Sequence, residues 1–192
     1  RFKIRQFTHQ KDDPYSLSYN SIYTIFQDSK NRIWVGCYGG GLNLIEETQE
    51  GNIRFLHSGN KLTGYSKDRF AKVRYITEAN QVLLVGTTEG LLTFSSEFTQ
   101  PEQIEFYRNI RIPDKVSSLC SNDVIYIYTD SRKDTYVLSF TGGLNKILSE
   151  NLLSNEIEFK TYTTQNGLPS DLVESMIEDN KGNLWIIAEN AL

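Results

Sequence analysis

Residues 28–36 read Asp-Ser-Lys-Asn-Arg-Ile-Trp-Val-Gly, and residues 179–187 read Asp-Asn-Lys-Gly-Asn-Leu-Trp-Ile-Ile. In both stretches an aspartate stands six positions before a tryptophan, and alternating apolar residues come before it. A unit that recurs within one chain cannot bury its hydrophobic face alone, so it must stack on copies of itself. The recurring stretch therefore predicts a repeat architecture.

Two weaker copies lie between these stretches, at residues 78–86 and 130–138, the second with one extra residue in its turn. The copies follow each other at steps of about 50 residues. On this alignment the turn acid is Asp28, Glu78, Asp130 and Asp179. The tryptophan position is held by Trp34, Leu84, Val137 and Trp185. A glycine that opens a further strand follows at Gly41, Gly90 and Gly143.

Each copy predicts four short strands. In the first copy, alternation and the content of β-branched and aromatic residues place them at residues 21–27, 32–37, 41–46 and 52–57. The turn acid can accept hydrogen bonds from backbone amides two residues further on, and glycine permits a positive φ in the next turn. Four strands in such a period are typical of a propeller blade. The predicted fold class is all-β, a β-propeller segment of four-stranded antiparallel blades.

The whole chain, residues 1–192, is interpreted as a partial propeller of about three and a half blades from a larger, seven-bladed one. We expect blades at 15–57, 66–108 and 119–163 and a half blade at 168–192, with residues 1–8 forming the outer strand of a preceding blade. Open sheet edges recruit partners, so we expect the isolated fragment to self-associate. Both tryptophans are expected to be buried between blades.

Composition and motif content exclude several function classes. The net charge is −4 and no Lys/Arg cluster is present, which argues against a nucleic-acid partner. No apolar run approaches the length of a membrane span, so no direct membrane contact is expected. No cluster of His, Cys and carboxylates has metal-binding spacing, and neither a metal nor a cofactor is predicted. The turn aspartates recur at one repeat position and are interpreted as turn formers, so no catalytic residue is assigned.

Candidate binding residues lie in loops. In a propeller, the loops from second to third strand and from outer strand to next inner strand share one face. Tyrosines and charged groups on that face would suit a hydroxyl-rich ligand, although an ordinary loop surface is the alternative for each residue. The main candidates are Tyr38, Arg69, Thr88, Glu89, Thr141 and Asp171. Further residues on the same face are Tyr15, Tyr19, Tyr65, Lys67, Asp114 and Lys115.

The motifs at residues 166–173 (NGLPSDLV) and 177–186 (IEDNKGNLWI), like residues 20–22 with 28–44, resemble the two-component regulator propeller repeat. In that family such repeats form the periplasmic sensor region of hybrid two-component regulators. A membrane span, a histidine kinase, a receiver and a DNA-binding domain follow the propellers. The resemblance implies an oligosaccharide ligand from polysaccharide breakdown, with the rest of the propeller and the sensor kinase in the parent chain.

Three function classes stay open at this point. The first is a ligand-sensing module that is not itself an enzyme and passes its signal to a kinase outside this fragment. The second is a propeller glycosidase, because the turn aspartates resemble the Asp-box of sialidases. Such an enzyme needs an arginine cluster, a nucleophile and paired carboxylates about 5–9 Å apart, which no motif supplies. The third is a purely structural or partner-binding propeller.

Overall fold

The computed structural model describes residues 4–189 and Ala191. Within them the chain is all-β apart from two single-turn 3-10 helices, Pro101–Gln103 and Thr164–Asn166. None of the helices described is long and apolar enough to cross a membrane. The strands are β1 Ile22–Gln27, β2 Ile33–Cys37, β3 Gly41–Glu47, β4 Ile53–Leu56, β5 Val73–Ala79, β6 Val82–Thr87, β7 Gly90–Ser95, β8 Tyr107–Asn109, β9 Val124–Thr129, β10 Thr135–Ser139, β11 Gly143–Ile147, β12 Phe159–Tyr162, β13 Val173–Glu178 and β14 Leu184–Ala188.

The strands form three four-stranded antiparallel sheets and one two-stranded sheet. Their orders follow the chain: β1-β2-β3-β4, β5-β6-β7-β8, β9-β10-β11-β12 and β13-β14. The sheets meet along their first strands, with β1 beside β5, β5 beside β9 and β9 beside β13. Stacking of four-stranded meanders along their first strands is the arrangement of propeller blades. The predicted fold class is therefore confirmed, and the strands of the first copy match the predicted ranges to within one residue at each end.

Glycine is required where the third strand of each blade begins. Gly41, Gly90 and Gly143 open β3, β7 and β11 with φ of +74°, +123° and +78°. These values lie in the region that L side chains rarely adopt. A Cβ on Gly143 would also collide with the backbone oxygen of Tyr162. Backbone conformation and a close approach therefore explain this repeated residue.

The two ends of the predicted domain plan lie partly outside the described residues. Residues 1–3 of the proposed outer strand at 1–8 are not described, and residues 4–8 have no strand assignment because they pair with no described strand. Phe7 nevertheless packs edge-on against Phe55, with ring centroids 5.5 Å apart. Asn190 and Leu192, at the end of the proposed half blade, are also not described. The blade ranges stay a prediction.

Hydrophobic cores fill the spaces between blades. Trp34 is fully buried, and its ring meets the ring of Phe94 edge-on with centroids 5.1 Å apart. Leu84 is fully buried at the next interface. The prediction that Trp185 is buried is wrong, because its side chain is 47% exposed. No described element covers β14 in the way that Phe94 covers Trp34.

A buried asparagine ties the third strand to the loop that enters the blade. Asn43 accepts a hydrogen bond from Ser18 N at 3.0 Å, and Asn145 accepts one from Cys120 N at 3.0 Å. Both entering loops contain a Leu-x-x-Asn box, at residues 17–20 (LSYN) and 119–122 (LCSN). In the second blade Leu92 occupies the register position of the asparagine, and residues 67–70 (KDRF) do not match the box. A buried amide without partners costs on the order of 1–3 kcal/mol. The box and the asparagine are therefore present or absent together, which explains why the second copy is weak.

Candidate functional site

The turn between the first two strands of a blade is built around an aspartate. Asp28 Oδ1 accepts hydrogen bonds from Lys30 N and Arg32 N, while Oδ2 accepts from Arg32 Nε at 2.7 Å and Trp34 Nε1 at 2.9 Å. Burial alone would raise the pKa of Asp28, but the hydrogen bonds from Trp34 and Arg32 outweigh it and hold the pKa below its usual value. Both carboxylate oxygens are thus committed to closing the turn.

The third turn corrects the predicted alignment. Asp130 N donates to Asp134 O at 2.9 Å, the same turn length as in the first blade. The Tyr136 hydroxyl lies 3.4 Å from Asp130 Oδ2, where the indole N–H of Trp34 stands in the first blade. Val137 is therefore not the counterpart of the tryptophan, and the turn has no extra residue. The alignment failed because a phenol O–H replaces an indole N–H as the donor to the turn acid.

Glu78 is the second correction, because it does not close a turn. The hairpin beside it is a two-residue turn at residues 80–81, both with positive φ. Its carboxylate instead accepts hydrogen bonds from Ser29 N at 2.6 Å and Ser29 Oγ at 2.7 Å, in the turn of the preceding blade. The same link recurs between Ser131 and Glu178. These glutamates join neighbouring blades rather than the strands of one hairpin.

The loop candidates take up different roles. Asp171 accepts hydrogen bonds from Thr164 N at 2.6 Å and Thr164 Oγ1 at 3.5 Å, and so closes the loop that enters the fourth blade. Thr88 N donates to Lys72 O, and Glu89 N donates to Thr87 Oγ1. Arg69 and Thr141 are exposed. Among the described residues, no hydrogen bond or ring contact joins Arg69, Thr141 or Asp171 to Tyr38.

Tyr38 is the candidate around which other polar groups gather. Its ring stacks on Tyr23 with centroids 4.6 Å apart and planes 20° from parallel. Lys72 Nζ lies 5.3 Å and Arg74 Cζ lies 5.5 Å from the centroid of the Tyr38 ring. Both distances are within the range of cation–π attraction. Arg74 also holds Asp123 through two hydrogen bonds, at 2.5 and 2.9 Å. We name these five residues the Tyr38 cluster.

Backbone contacts position the Tyr38 cluster where two blades meet. Tyr38 follows β2 and forms an antiparallel bridge with Lys72, just before β5. Gly39 N and Gly41 N both donate to Ala71 O at 2.8 Å, which anchors the glycine loop to the second blade. The side chain of Tyr23 is 56% exposed. The Tyr38 cluster therefore offers an accessible aromatic face beside two cations.

Sequence reasoning identified Tyr38 but missed the other four members of the Tyr38 cluster. Each of those four lies at the entry of an inner strand, which the prediction treated as blade framework. A signal was available: Lys72 and Arg74 flank a buried valine, and a long cationic side chain on either side of such a residue is unusual at a buried interface.

Two segments of the chain, residues 16–39 and 167–190, match the family model described as two component regulator propeller. These segments contain the copies that keep the tryptophan. The resemblance to this repeat is thus confirmed. No curated protein matches the chain.

Solved structures share the fold. The extracellular domain of the putative hybrid two component system BT3049 from B. thetaiotaomicron is 19% identical, with a TM-score of 0.61 over 90% of this chain and 21% of that one. The corresponding domain of BT4673 from the same organism is 22% identical, with a TM-score of 0.63 over 88% and 22%. PorZ, a surface component of the type-IX secretion system of Porphyromonas gingivalis, is 16% identical, with a TM-score of 0.63 over 90% and 26%. The chain thus spans about a quarter of the length of the structures that it matches.

Proposed function

We propose that this chain is part of the ligand-sensing periplasmic propeller of a hybrid two-component sensor kinase. The repeat match and the fold shared with extracellular domains of hybrid two component systems support the class of protein. The observation that carries the proposal is the Tyr38 cluster, in which the exposed Tyr23 and Lys72 lie beside the half-buried Tyr38 and Arg74 and which the repeat itself does not require. The partners would be an oligosaccharide and, in the parent chain, the remaining blades and the kinase.

The chemistry of the Tyr38 cluster suits an oligosaccharide. Aromatic faces pack on the C–H faces of sugar rings, while charged side chains bind hydroxyl or acidic groups with defined direction. The Tyr23–Tyr38 stack provides such a face, and Lys72 and Arg74 provide the donors. The protein needs no cofactor for this role.

The Tyr38 cluster also joins three blades, which gives binding a route to a signal. Tyr23 and Tyr38 belong to the first blade, Lys72 and Arg74 to the second, and Asp123 precedes the first strand of the third. A ligand shifts a conformational equilibrium only by its difference in affinity between two states. A ligand that contacts several blades at once binds the two states with different affinity if the spacing between the blades changes from one state to the other.

The glycosidase alternative has less support. A glycosidase needs two carboxyl groups that are free to act about 5–9.5 Å apart. The oxygens of Asp28 and Asp179 are instead occupied by turn amides and by the indole N–H groups of Trp34 and Trp185. Product analysis after incubation with glycans separates the two functions, because a sensor module binds without turnover.

Isothermal titration of the chain with a panel of neutral and acidic oligosaccharides tests the proposal. We expect saturable binding by at least one member of the panel, and at least a tenfold loss of affinity in Tyr38→Ala. Tyr107→Ala, on the outer strand β8, is the matched control and should bind like the unmodified chain. Thermal unfolding of each variant verifies that it is folded. No binding by any member of the panel, or binding that Tyr38→Ala leaves unchanged, would refute the proposal.

A further inference from the structure

A β-bulge lies at the same position in every inner strand. In each first hairpin the pairing register shifts by one residue just after the strand begins. The extra residue lies between Ile22 and Thr24, Val73 and Tyr75, Val124 and Tyr126, and Val173 and Ser175. The bulge residues are Tyr23, Arg74, Ile125 and Glu174.

The bulge residues differ from one another whereas the residues before them do not. The residue before each bulge is an isoleucine or a valine, but the bulge residues are aromatic, cationic, aliphatic and anionic in turn. A bulge leaves one residue out of the ladder and turns its side chain in a new direction, and bulges are frequent beside binding sites. A repeated backbone feature with a different side chain in each blade is what a recognition surface requires.

We propose that the bulge positions determine the specificity of the sensing site, and that the second blade binds the carboxylate of an acidic oligosaccharide. This inference rests on the proposed sensing function. Arg74 is the bulge residue of that blade, and Lys72 stands two positions before it. The Nε–Nη2 edge of the Arg74 guanidinium already holds Asp123. The Nη1–Nη2 edge is the one that would meet the ligand carboxylate in a two-point contact, and Lys72 adds a second positive charge.

The charge balance around the second bulge favours an anion. Within the described residues, no carboxylate lies at ion-pair distance from Lys72, while Arg74 shares its charge with Asp123. The Tyr38 cluster therefore has two cations and one anion, in a chain whose net charge is −4. A local positive field on an acidic protein attracts anionic ligands and holds them there.

The other bulges set the orientation of the ligand. Tyr23, which stacks on Tyr38 and is exposed, gives a stacking surface for the neighbouring sugar ring. Glu174, at the bulge of the fourth blade, is exposed and carries the opposite charge to Arg74. It disfavours a second acidic sugar at that end, because specificity depends on repulsion from wrong ligands as well as on attraction to the right one.

Titration of the chain at low salt with trigalacturonate and with its methyl ester tests the inference. The two probes have the same rings, but the ester has no charge. We expect the acid to bind about tenfold more tightly than the ester. Lys72→Gln and Arg74→Gln should weaken binding of the acid by roughly three- to tenfold and binding of the ester by much less, because glutamine keeps a hydrogen-bond donor for hydroxyl groups but has no charge for a carboxylate. Asp123→Asn should strengthen binding of the acid, because it removes a competing carboxylate.

Unfolding of a variant would weaken binding of both probes. The predicted effects differ from that, because they concern mainly the acid and because Asp123→Asn should strengthen binding. Lys72→Gln breaks no ion pair with any residue that the structure describes, so it keeps the test valid if Arg74→Gln destabilises the fold. Binding of neutral oligosaccharides from the panel, with no preference for the acid over the ester, would overturn this inference and leave the proposed sensing function standing. Equal weakening of both probes by the two variants would also overturn it. Absence of binding by every glycan would overturn both proposals.

Discussion

Asp28→Asn tests how much the carboxylate that closes the first turn contributes to stability. The residue is 4% exposed, and its Oδ2 accepts hydrogen bonds from Trp34 Nε1 and Arg32 Nε. The donors around Asp28 are divided between two carboxylate oxygens, whereas an asparagine side chain has only one oxygen. A buried N–H therefore loses its acceptor in the variant. Hydrogen bonds to charged groups contribute about 1.5–3 kcal/mol, and an unsatisfied buried donor costs about 1–3 kcal/mol. We expect the free energy of unfolding to fall by about 2–4 kcal/mol.

Asp179→Asn is the matched control for this substitution. Asp179 accepts hydrogen bonds from Lys181 N, Asn183 N and Trp185 Nε1 in the same pattern, but its surroundings are exposed to solvent. Water can replace a lost partner there, so the loss of stability should be much smaller. Urea unfolding followed by far-UV circular dichroism gives the free energy of unfolding of both variants, provided that its slope against urea concentration is the same in each. Equal losses in the two variants would show that burial of the turn is not what makes Asp28 important.

The pH dependence of stability provides a second test of the Asp28 carboxylate. The pKa of Asp28 is lowered in the folded state, so its contribution to stability is complete above the unfolded pKa and is lost as the pH falls through the folded pKa. The difference in stability between the unmodified chain and Asp28→Asn should therefore shrink as the pH falls below about 4. A difference that stays constant across that range would mean that the charge of the carboxylate is not involved.

Trp34→Ala should lower the free energy of unfolding by about 3–5 kcal/mol in denaturant titrations, whereas Trp185→Ala, at a site that is 47% exposed, should cost much less. Glu78→Gln weakens the link to Ser29 between two blades and should speed hydrogen exchange at the Ser29 amide, with little change at amides inside the blades. The isolated chain should also associate with itself, because apolar side chains of its first and last sheets, such as Ile25 and Ile187, are exposed. Sedimentation coefficients that do not change with concentration would contradict this last expectation.

The fold could be predicted from the sequence because the repeat has a visible chemical rule. The aspartate accepts the hydrogen bonds that close the turn, the tryptophan six positions later donates one of them, and the glycine after the second strand adopts a positive φ. These residues therefore recur in more than one copy. The rule failed where a different residue type met the same need. Tyr136 supplies an O–H where Trp34 supplies an N–H, and the sequence pattern favoured Val137 because it compared apolarity rather than hydrogen-bond donors.

The Tyr38 cluster could not be predicted in the same way. Alternation along a strand assigns each side chain to a face, but one bulge reverses that assignment for every residue on its far side. Tyr23 and Arg74 are themselves the bulge residues, so their direction depends on pairing with the next strand and not on local sequence. The exposure of Trp185 also depends on what packs against β14 rather than on the motif that contains it.

The most direct test of ligand sensing is to map the binding site by NMR. Amide chemical shifts of the isotope-labelled chain would be followed while trigalacturonate, or the tightest neutral ligand of the panel, is added. We expect the largest shifts at Tyr23, Tyr38, Lys72 and Arg74, with smaller ones where β5 and β9 meet. Saturable shifts confined to the outer strands, or to the loop around Lys67, would contradict a sensing site at the Tyr38 cluster.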